Sequence, residues 1–127
     1  MPSSDDGERI HLTAPDGQRL AARRFEPSTS ARAHLIVAGA TGAPQRFYRR
    51  FAQHARAQGF STLTLDYRGV GESAPKRLRG YEMHYLDRAR LDLATAVDVM
   101  AEDGLPLYVV GHSFGGHAFG LLPNVHR

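Results

Sequence analysis

One short segment, Gly111-His112-Ser113-Phe114-Gly115-Gly116, has the residue types and spacing of a nucleophilic site. Glycines two positions before and after a serine allow a very sharp turn, because side chains there would collide. Such a turn lifts the hydroxyl clear of the backbone, where it can attack a carbonyl carbon. The segment predicts Ser113 as a catalytic nucleophile, with Gly111, Gly115 and Gly116 as structural residues of the turn. The alternative is a tight strand–helix turn that contains an incidental serine.

Two further segments follow apolar runs and are rich in small or polar residues. Ala38-Gly39-Ala40-Thr41-Gly42 continues the run that starts at His34, and Asp66-Tyr67-Arg68-Gly69-Val70-Gly71-Glu72-Ser73 continues the run that starts at Ser61. In the second segment the glycines permit a turn, and we expect Asp66 and Arg68 to brace it through hydrogen bonds. A lesser alternative makes Asp66 a catalytic acid.

The elements between these segments predict an α/β architecture. An alternating segment around Ile10 and Leu12, a Pro-Asp-Gly turn and a second strand (20–25) indicate an opening hairpin. Strands at 34–38, 61–66 and 106–110 then alternate with helices at 45–58 and 86–101. Phe47, Phe51 and Ala55 are expected on one helix face. Leu86, Ala89, Leu93, Val97 and Met100 are expected on one stripe of the second helix. This order is typical of a mostly parallel sheet with helices on both faces.

Composition restricts the function classes. The chain has no cysteine, which excludes a thiol nucleophile and Cys-based zinc sites, and favours a cytoplasmic location. The start at Met1 is polar and acidic, unlike a secretory leader, and no run is long enough to span a membrane. The net charge of +3 comes from scattered arginines without a reading motif. We therefore expect neither a nucleic acid nor a membrane as partner.

Taken in this order, the three segments resemble the α/β-hydrolase family, near the serine aminopeptidase (S33-type) relatives. The stretch from Ala40 to Tyr48 and the tail Gly120-Leu121-Leu122-Pro123 carry the finer likeness. The resemblance implies the N-terminal half of an α/β-hydrolase fold, with residues 1–127 as a partial domain ending just after the nucleophile elbow. It implies hydrolysis of an ester or related acyl bond in a small-molecule substrate, without metal or cofactor.

The same resemblance assigns the oxyanion hole to the backbone N–H groups of Ala40 and Phe114, with Thr41 as a further candidate. The commonest form of the first loop has histidine where this sequence has Ala38. That departure bears on which N–H group donates.

The acid and the histidine of a triad follow the serine in this family. The residues Phe114–Arg127 contain no Asp or Glu, and none of the seven histidines, including His117 and His126, stands where a base is expected. We therefore expect an active parent protein and an inactive, incomplete chain here. The alternatives are a catalytically inactive hydrolase remnant or binding module and, ranked below them, a basic nucleic-acid binder.

Overall fold

Five strands form one mixed sheet in the part of the chain that the computed structural model describes, residues 7–39, 44–68, 70, 73 and 87–112. Their order across the sheet is β1-β2-β4-β3-β5. The strands are β1 (Glu8–Thr13), β2 (Arg19–Phe25), β3 (Ala33–Ala38), β4 (Phe60–Leu65) and β5 (Leu107–Gly111). The predicted α/β architecture is confirmed.

The predicted opening hairpin is also confirmed. Strands β1 and β2 pair antiparallel, with Leu12 opposite Leu20. Their turn is closed by a hydrogen bond from the Ala14 N–H to the Gln18 carbonyl at 2.9 Å. Gly17 has a φ of 91°, a conformation that L-residues with a side chain avoid. The hairpin joins the rest of the sheet through β2, which runs antiparallel to β4.

Strand β3 lies at the centre of the parallel part of the sheet. It pairs in parallel with β4 on one side and with β5 on the other. All six of its residues are buried, as the continuous apolar run predicts for a strand covered on both faces. The carboxyl ends of β3 and β5 therefore lie side by side at one edge of the sheet.

The first helical segment begins as a 3-10 turn, Gln45–Tyr48, and continues as α1 (Arg49–Ala57). Gly59, with a φ of 93°, follows its end, as predicted. The prediction that Phe47, Phe51 and Ala55 share one face is wrong, because Phe47 is 69% exposed and Phe51 is 42% exposed while Ala55 is buried. The buried positions are Gln45, Ala52 and Ala55.

The anchoring of Gln45 explains this rotation. Its buried side chain fixes the tighter 3-10 turn, which has about three residues per turn rather than 3.6. The helix then presents Ala52 and Ala55 to the sheet, and their small side chains let α1 pack closely. The two phenylalanines are left on the outer side.

The second helical segment is a π-helical stretch, Arg88–Leu93, followed by α2 (Ala94–Met100). Leu93, Val97 and Met100 are buried in one cluster with Ile36 and Leu63, which confirms that part of the predicted stripe. Leu86 and the side chain of Ala89 lie outside the described residues. Each large side chain of this cluster contributes roughly 1.5–3 kcal/mol by leaving water. No helix within the described ranges is long and apolar enough to cross a bilayer.

Strand β5 differs from the buried strand that the sequence predicts. Leu107 and Val109 pack against the core cluster, but Tyr108 is 56% exposed and Val110 is 40% exposed. Within the described residues β5 pairs with β3 only, and its outer face has no described helix packed on it. The apolar side chains of β5 are therefore packed against the core on one face of the strand and exposed on the other.

Candidate active site

The carboxyl ends of β3 and β5 bring two of the predicted site segments together. Ala38 pairs with Gly111, and the backbone N–H of His112 donates to the Ala38 carbonyl at 2.9 Å. Gly39 follows directly in one chain segment and His112 in the other. This edge, outside the carboxyl ends of parallel strands, is where open α/β sheets hold their ligands.

Most of the predicted site residues lie outside the part of the chain that the structure describes. Gly111 is the last residue of β5. Ala40, Thr41, Ser113, Phe114, Gly115 and Gly116 lie outside the described residues. The structure thus brings together the residues preceding them, Gly39 and His112, while the nucleophile and the oxyanion donors remain predictions.

Tyr48 connects the two segments at this edge. Its Oη and the Nδ1 of His112 are hydrogen-bonded at 3.0 Å. The Tyr48 ring also meets the His112 ring edge-on, with 5.9 Å between centroids. It lies so close to Gly39 that a Cβ there would be 2.6 Å from Tyr48 Cε2. Glycine is therefore required at position 39 for tyrosine to pass over the end of β3.

The Phe47 ring lies parallel to the His112 ring, with an interplanar angle of 2° and 6.5 Å between centroids. It meets Tyr48 edge-on at 5.1 Å. Phe47, Tyr48 and His112 thus form one aromatic group, which we call the edge cluster. Its members come from the first helical segment and from the residue before Ser113.

Gln45 fixes the turn that carries Tyr48. Its backbone N–H donates to Asp66 Oδ1 at 2.6 Å, and its amide nitrogen donates to Asp66 Oδ2 at 3.2 Å. Its amide oxygen accepts from the Thr64 hydroxyl at 2.8 Å. Because all three side chains are buried, these bonds hold the 3-10 turn to the end of β4. Asp66 thus makes buried hydrogen bonds as predicted, but its carboxylate braces the 3-10 turn rather than the 66–73 segment.

Ser73 closes the loop that follows β4. Its hydroxyl donates to the Asp66 carbonyl at 2.6 Å and accepts from the Ala21 N–H at 2.8 Å. The serine is buried, so these bonds are shielded from water. They tie the end of the segment 66–73 to strand β2.

Arg68 is the second predicted brace, and the structure confirms it. Its guanidinium donates to Asp92 through Nε at 2.9 Å and to Asp16 through Nη1 at 2.6 Å. Its backbone N–H also donates to Asp92 Oδ2, at 2.7 Å. Arg68 and Asp92 are buried, whereas the Asp16 side chain is 41% exposed. One arginine thus joins the hairpin turn, the loop after β4 and the π-helical stretch.

The charges of this group shift its pKa values. The hydrogen bond from Arg68 lowers the pKa of Asp16. Burial raises the pKa of Asp92, while its hydrogen bonds from Arg68 oppose that rise. Burial acts against the charge of Arg68, but the hydrogen bonds to Asp16 and Asp92 outweigh it and raise the pKa of the guanidinium. Arg68 therefore stays charged across the physiological range.

Buried His34 pairs with the exposed carboxylate of Asp103 at the opposite end of the sheet. His34 Nε2 donates to Asp103 Oδ2 at 2.8 Å, while His34 Nδ1 is buried with no hydrogen-bond partner. His34 precedes Ala38 by four residues, which is about 13 Å along a strand. The pair thus stands too far from the His112 edge to activate a serine there. Among the described side chains, no group of three or more His, Cys, Asp or Glu could hold a metal ion.

Sequence reasoning missed several residues that shape this edge. Tyr48 and Gln45 stood only inside a family-like stretch, and their partners lie 64 and 21 residues away. Asp16 was interpreted as a turn residue. Asp92 gave the clearest signal, because it is an acid between Leu91 and Leu93 on an apolar helix.

Comparisons with known proteins agree with this architecture. The structure superposes on a thermostable carboxyl esterase from Bacillus coagulans with a TM-score of 0.75 and 22% identity, covering 88% of this chain and 38% of that one. A likeness of this kind identifies an α/β-hydrolase sheet. The family model for serine aminopeptidase, S33, matches residues 29–122. The chain belongs to that family.

Two relatives have names that concern function. The chain is 31% identical to human monoglyceride lipase over 119 residues, which is 92% of this chain and 38% of the lipase. It is 33% identical to monoacylglycerol lipase from Mycolicibacterium smegmatis over 104 residues, 79% of this chain and 35% of that lipase. The chain thus spans little more than a third of the length of these relatives.

Proposed function

We propose that this chain forms the nucleophile-bearing part of a serine hydrolase that cleaves an ester or related acyl bond. The observation that carries the proposal is the pairing of Ala38 with Gly111, together with the hydrogen bond from His112 to Ala38. It supports a site in which the chain segments leading to Ala40 and Ser113 leave adjacent strands at one edge.

In the proposed mechanism Ser113 Oγ attacks the carbonyl carbon of the substrate, and the carbonyl oxygen becomes an oxyanion. The backbone N–H groups of Ala40 and Phe114 donate hydrogen bonds to that oxygen, with Thr41 as a further donor candidate. Loss of one such donor typically lowers the rate by about 100- to 1000-fold. Gly111, Gly115 and Gly116 permit the turn, and no metal or cofactor takes part.

A serine hydroxyl requires a positioned base to become a strong nucleophile. We propose that the acid and the histidine come from residues that follow Arg127 in a longer polypeptide, in the family order of serine, acid, histidine. On this proposal the 127-residue chain is a partial domain and is inactive by itself. The names of the relatives make a monoglyceride the first natural ester to test, and the lack of cysteine supports a cytoplasmic location.

The test uses a polypeptide that contains residues 1–127 and its continuation. A fluorophosphonate probe should label Ser113, and short-chain p-nitrophenyl esters and monoglycerides should be cleaved. Ser113→Ala should abolish labelling and turnover. Ser30→Ala, at an exposed loop serine, is the matched control and should change neither. Turnover that survives Ser113→Ala would reject the nucleophile, and a stable full-length protein without labelling would indicate an inactive hydrolase remnant.

A further inference from the structure

The outer face of the first helical segment carries aromatic residues that its pattern would normally bury. Phe47, Arg50, Phe51 and His54 follow the spacing i, i+3, i+4, i+7, which places them on one side of the helix. All four are exposed, whereas the buried residues of α1 are Ala52 and Ala55. Two of the four large exposed hydrophobic side chains among the described residues thus lie on this face.

The same segment is strongly basic. Between Gln45 and Ala57 it has four arginines and no Asp or Glu, whereas the whole chain has a net charge of +3. Arg46, Arg49 and Arg50 are exposed beside the two phenylalanines. A surface that combines exposed aromatic rings with clustered cations fits a partner that has negative charge over an apolar layer.

This basic aromatic face adjoins the candidate active site. Phe47 belongs to the edge cluster and lies parallel to the His112 ring, one residue before Ser113. A planar partner that contacts Phe47 and Phe51 would therefore border the carboxyl ends of β3 and β5.

We propose that Phe47, Phe51 and the arginines 46, 49 and 50 form a docking surface for an anionic lipid surface. The inference rests on the proposed function, since an ester hydrolase with lipases among its relatives would gain access there to esters held in a lipid layer. The phenylalanines would enter the headgroup boundary, and the arginines would pair with anionic headgroups. The expectation of no membrane partner rested largely on the lack of a spanning run, which does not bear on a surface contact.

Single-stranded nucleic acid is the competing partner, because it also uses arginine and aromatic side chains. The lipid surface is favoured because the phenylalanines lie at the edge proposed for ester hydrolysis. A nucleic acid has no chemical relation to that edge.

Vesicle flotation of the whole chain tests the proposal. Self-associated protein does not float without lipid, so flotation reports binding to the vesicles. The chain should float with phosphatidylcholine vesicles that contain phosphatidylserine, and much less with phosphatidylcholine alone. Arg50→Glu should weaken binding roughly 20- to 30-fold, at about fivefold for each of two charges. Phe47→Ala should weaken it about tenfold. The matched controls are Arg19→Glu and Tyr108→Ala, at an exposed arginine and an exposed aromatic residue outside this face, and both should bind normally.

Absence of flotation would overturn the proposal, as would equal weakening by Arg19→Glu, which would indicate charge attraction without a defined face. Binding of a single-stranded oligonucleotide without flotation would assign the surface to nucleic acid instead. Ser113→Ala should float like the wild type. Normal flotation of a protein that fails every hydrolase test would therefore reject the proposed activity and leave the lipid surface standing.

Discussion

Tyr48 Oη lies 3.0 Å from His112 Nδ1, and this hydrogen bond joins the first helical segment to the residue before the proposed nucleophile. The tyrosine ring covers Gly39 at the same time. A single side chain thus contacts both chain segments that lead to the proposed oxyanion hole. Its contribution to activity should come through their relative position.

Tyr48→Phe should lower kcat more than it raises KM, because the variant keeps the ring and loses only the hydrogen bond. One net hydrogen bond is worth about 1 kcal/mol, so kcat/KM for a p-nitrophenyl ester should fall about fivefold. The assay requires the longer polypeptide in which Ser113 labelling has been demonstrated. Tyr108→Phe, at an exposed tyrosine of β5, should leave both constants unchanged. Full activity of Tyr48→Phe would mean that packing alone positions His112.

Asp66→Asn should destabilise the fold. Asp66 accepts two hydrogen bonds from Gln45 in a buried setting, and asparagine has only one acceptor oxygen there. Leaving a buried donor unsatisfied typically costs about 1–3 kcal/mol of unfolding free energy, measurable by urea denaturation. Thr64→Val, which removes one neighbouring bond, should cost less. A loss of turnover with unchanged stability would instead support the alternative in which Asp66 is the catalytic acid.

Asp16→Asn should lower stability in a pH-dependent manner. Arg68 lowers the pKa of Asp16 in the folded state, so the carboxylate stabilises the fold above its usual pKa of 3.8, and this contribution is lost as the pH falls. The Asp16 side chain is partly exposed, and at pH 7 the substitution should cost at most about 1 kcal/mol. The difference from wild type should close in acid. Glu102→Gln, at an exposed glutamate, should show no such difference.

Asp92→Asn should cost considerably more than Asp16→Asn at neutral pH. It leaves the buried guanidinium of Arg68 without its innermost carboxylate, a change that typically costs about 3–5 kcal/mol. Chemical denaturation of the two variants in one buffer compares them directly. Equal effects would contradict the prediction, because they would show that Asp16 and Asp92 contribute alike to neutralising Arg68.

The 127-residue chain should self-associate when purified. Tyr108 and Val110 expose one face of β5, and within the described residues the strand pairs on one side only. An apolar strand with unpaired backbone groups recruits other chains. Size-exclusion chromatography should show oligomers, and Val110→Lys should reduce them. A monodisperse wild-type monomer with Ser113-dependent ester turnover would contradict this and the proposed inactivity of the chain.

The local sequence pattern was sufficient to predict the strands of the sheet, but it was insufficient to predict the packing around the candidate site. The run that forms β3 and the stop at Gly59 could be predicted because each depends on a few neighbouring residues. The orientation of Phe47 could not be predicted, because it depends on the hydrogen bond from Gln45 to Asp66, which is 21 residues away in the sequence. Spacing alone does not include that constraint.

The candidate site divides in the same way. The motif around Ser113 and the bracing role of Arg68 follow from residue types, and the structure confirms the hydrogen bonds of Arg68. The carboxylate of Asp66 bonds to Gln45 instead of bracing the 66–73 segment. The Tyr48–His112 contact spans 64 residues and has no local signature. A tyrosine beside exposed arginines would ordinarily be assigned to the surface.

The hydrogen bonds of Arg68 to Asp16 and Asp92 span 52 and 24 residues, which bears on the order of folding events. Such contacts can form only after both intervening chain segments have been brought together, so their loop-closure entropy is lost late. Interactions that are absent from the transition state act mainly on the rate of unfolding. The hydrogen bonds of Arg68 to Asp16 and Asp92 would therefore slow unfolding more than they speed folding.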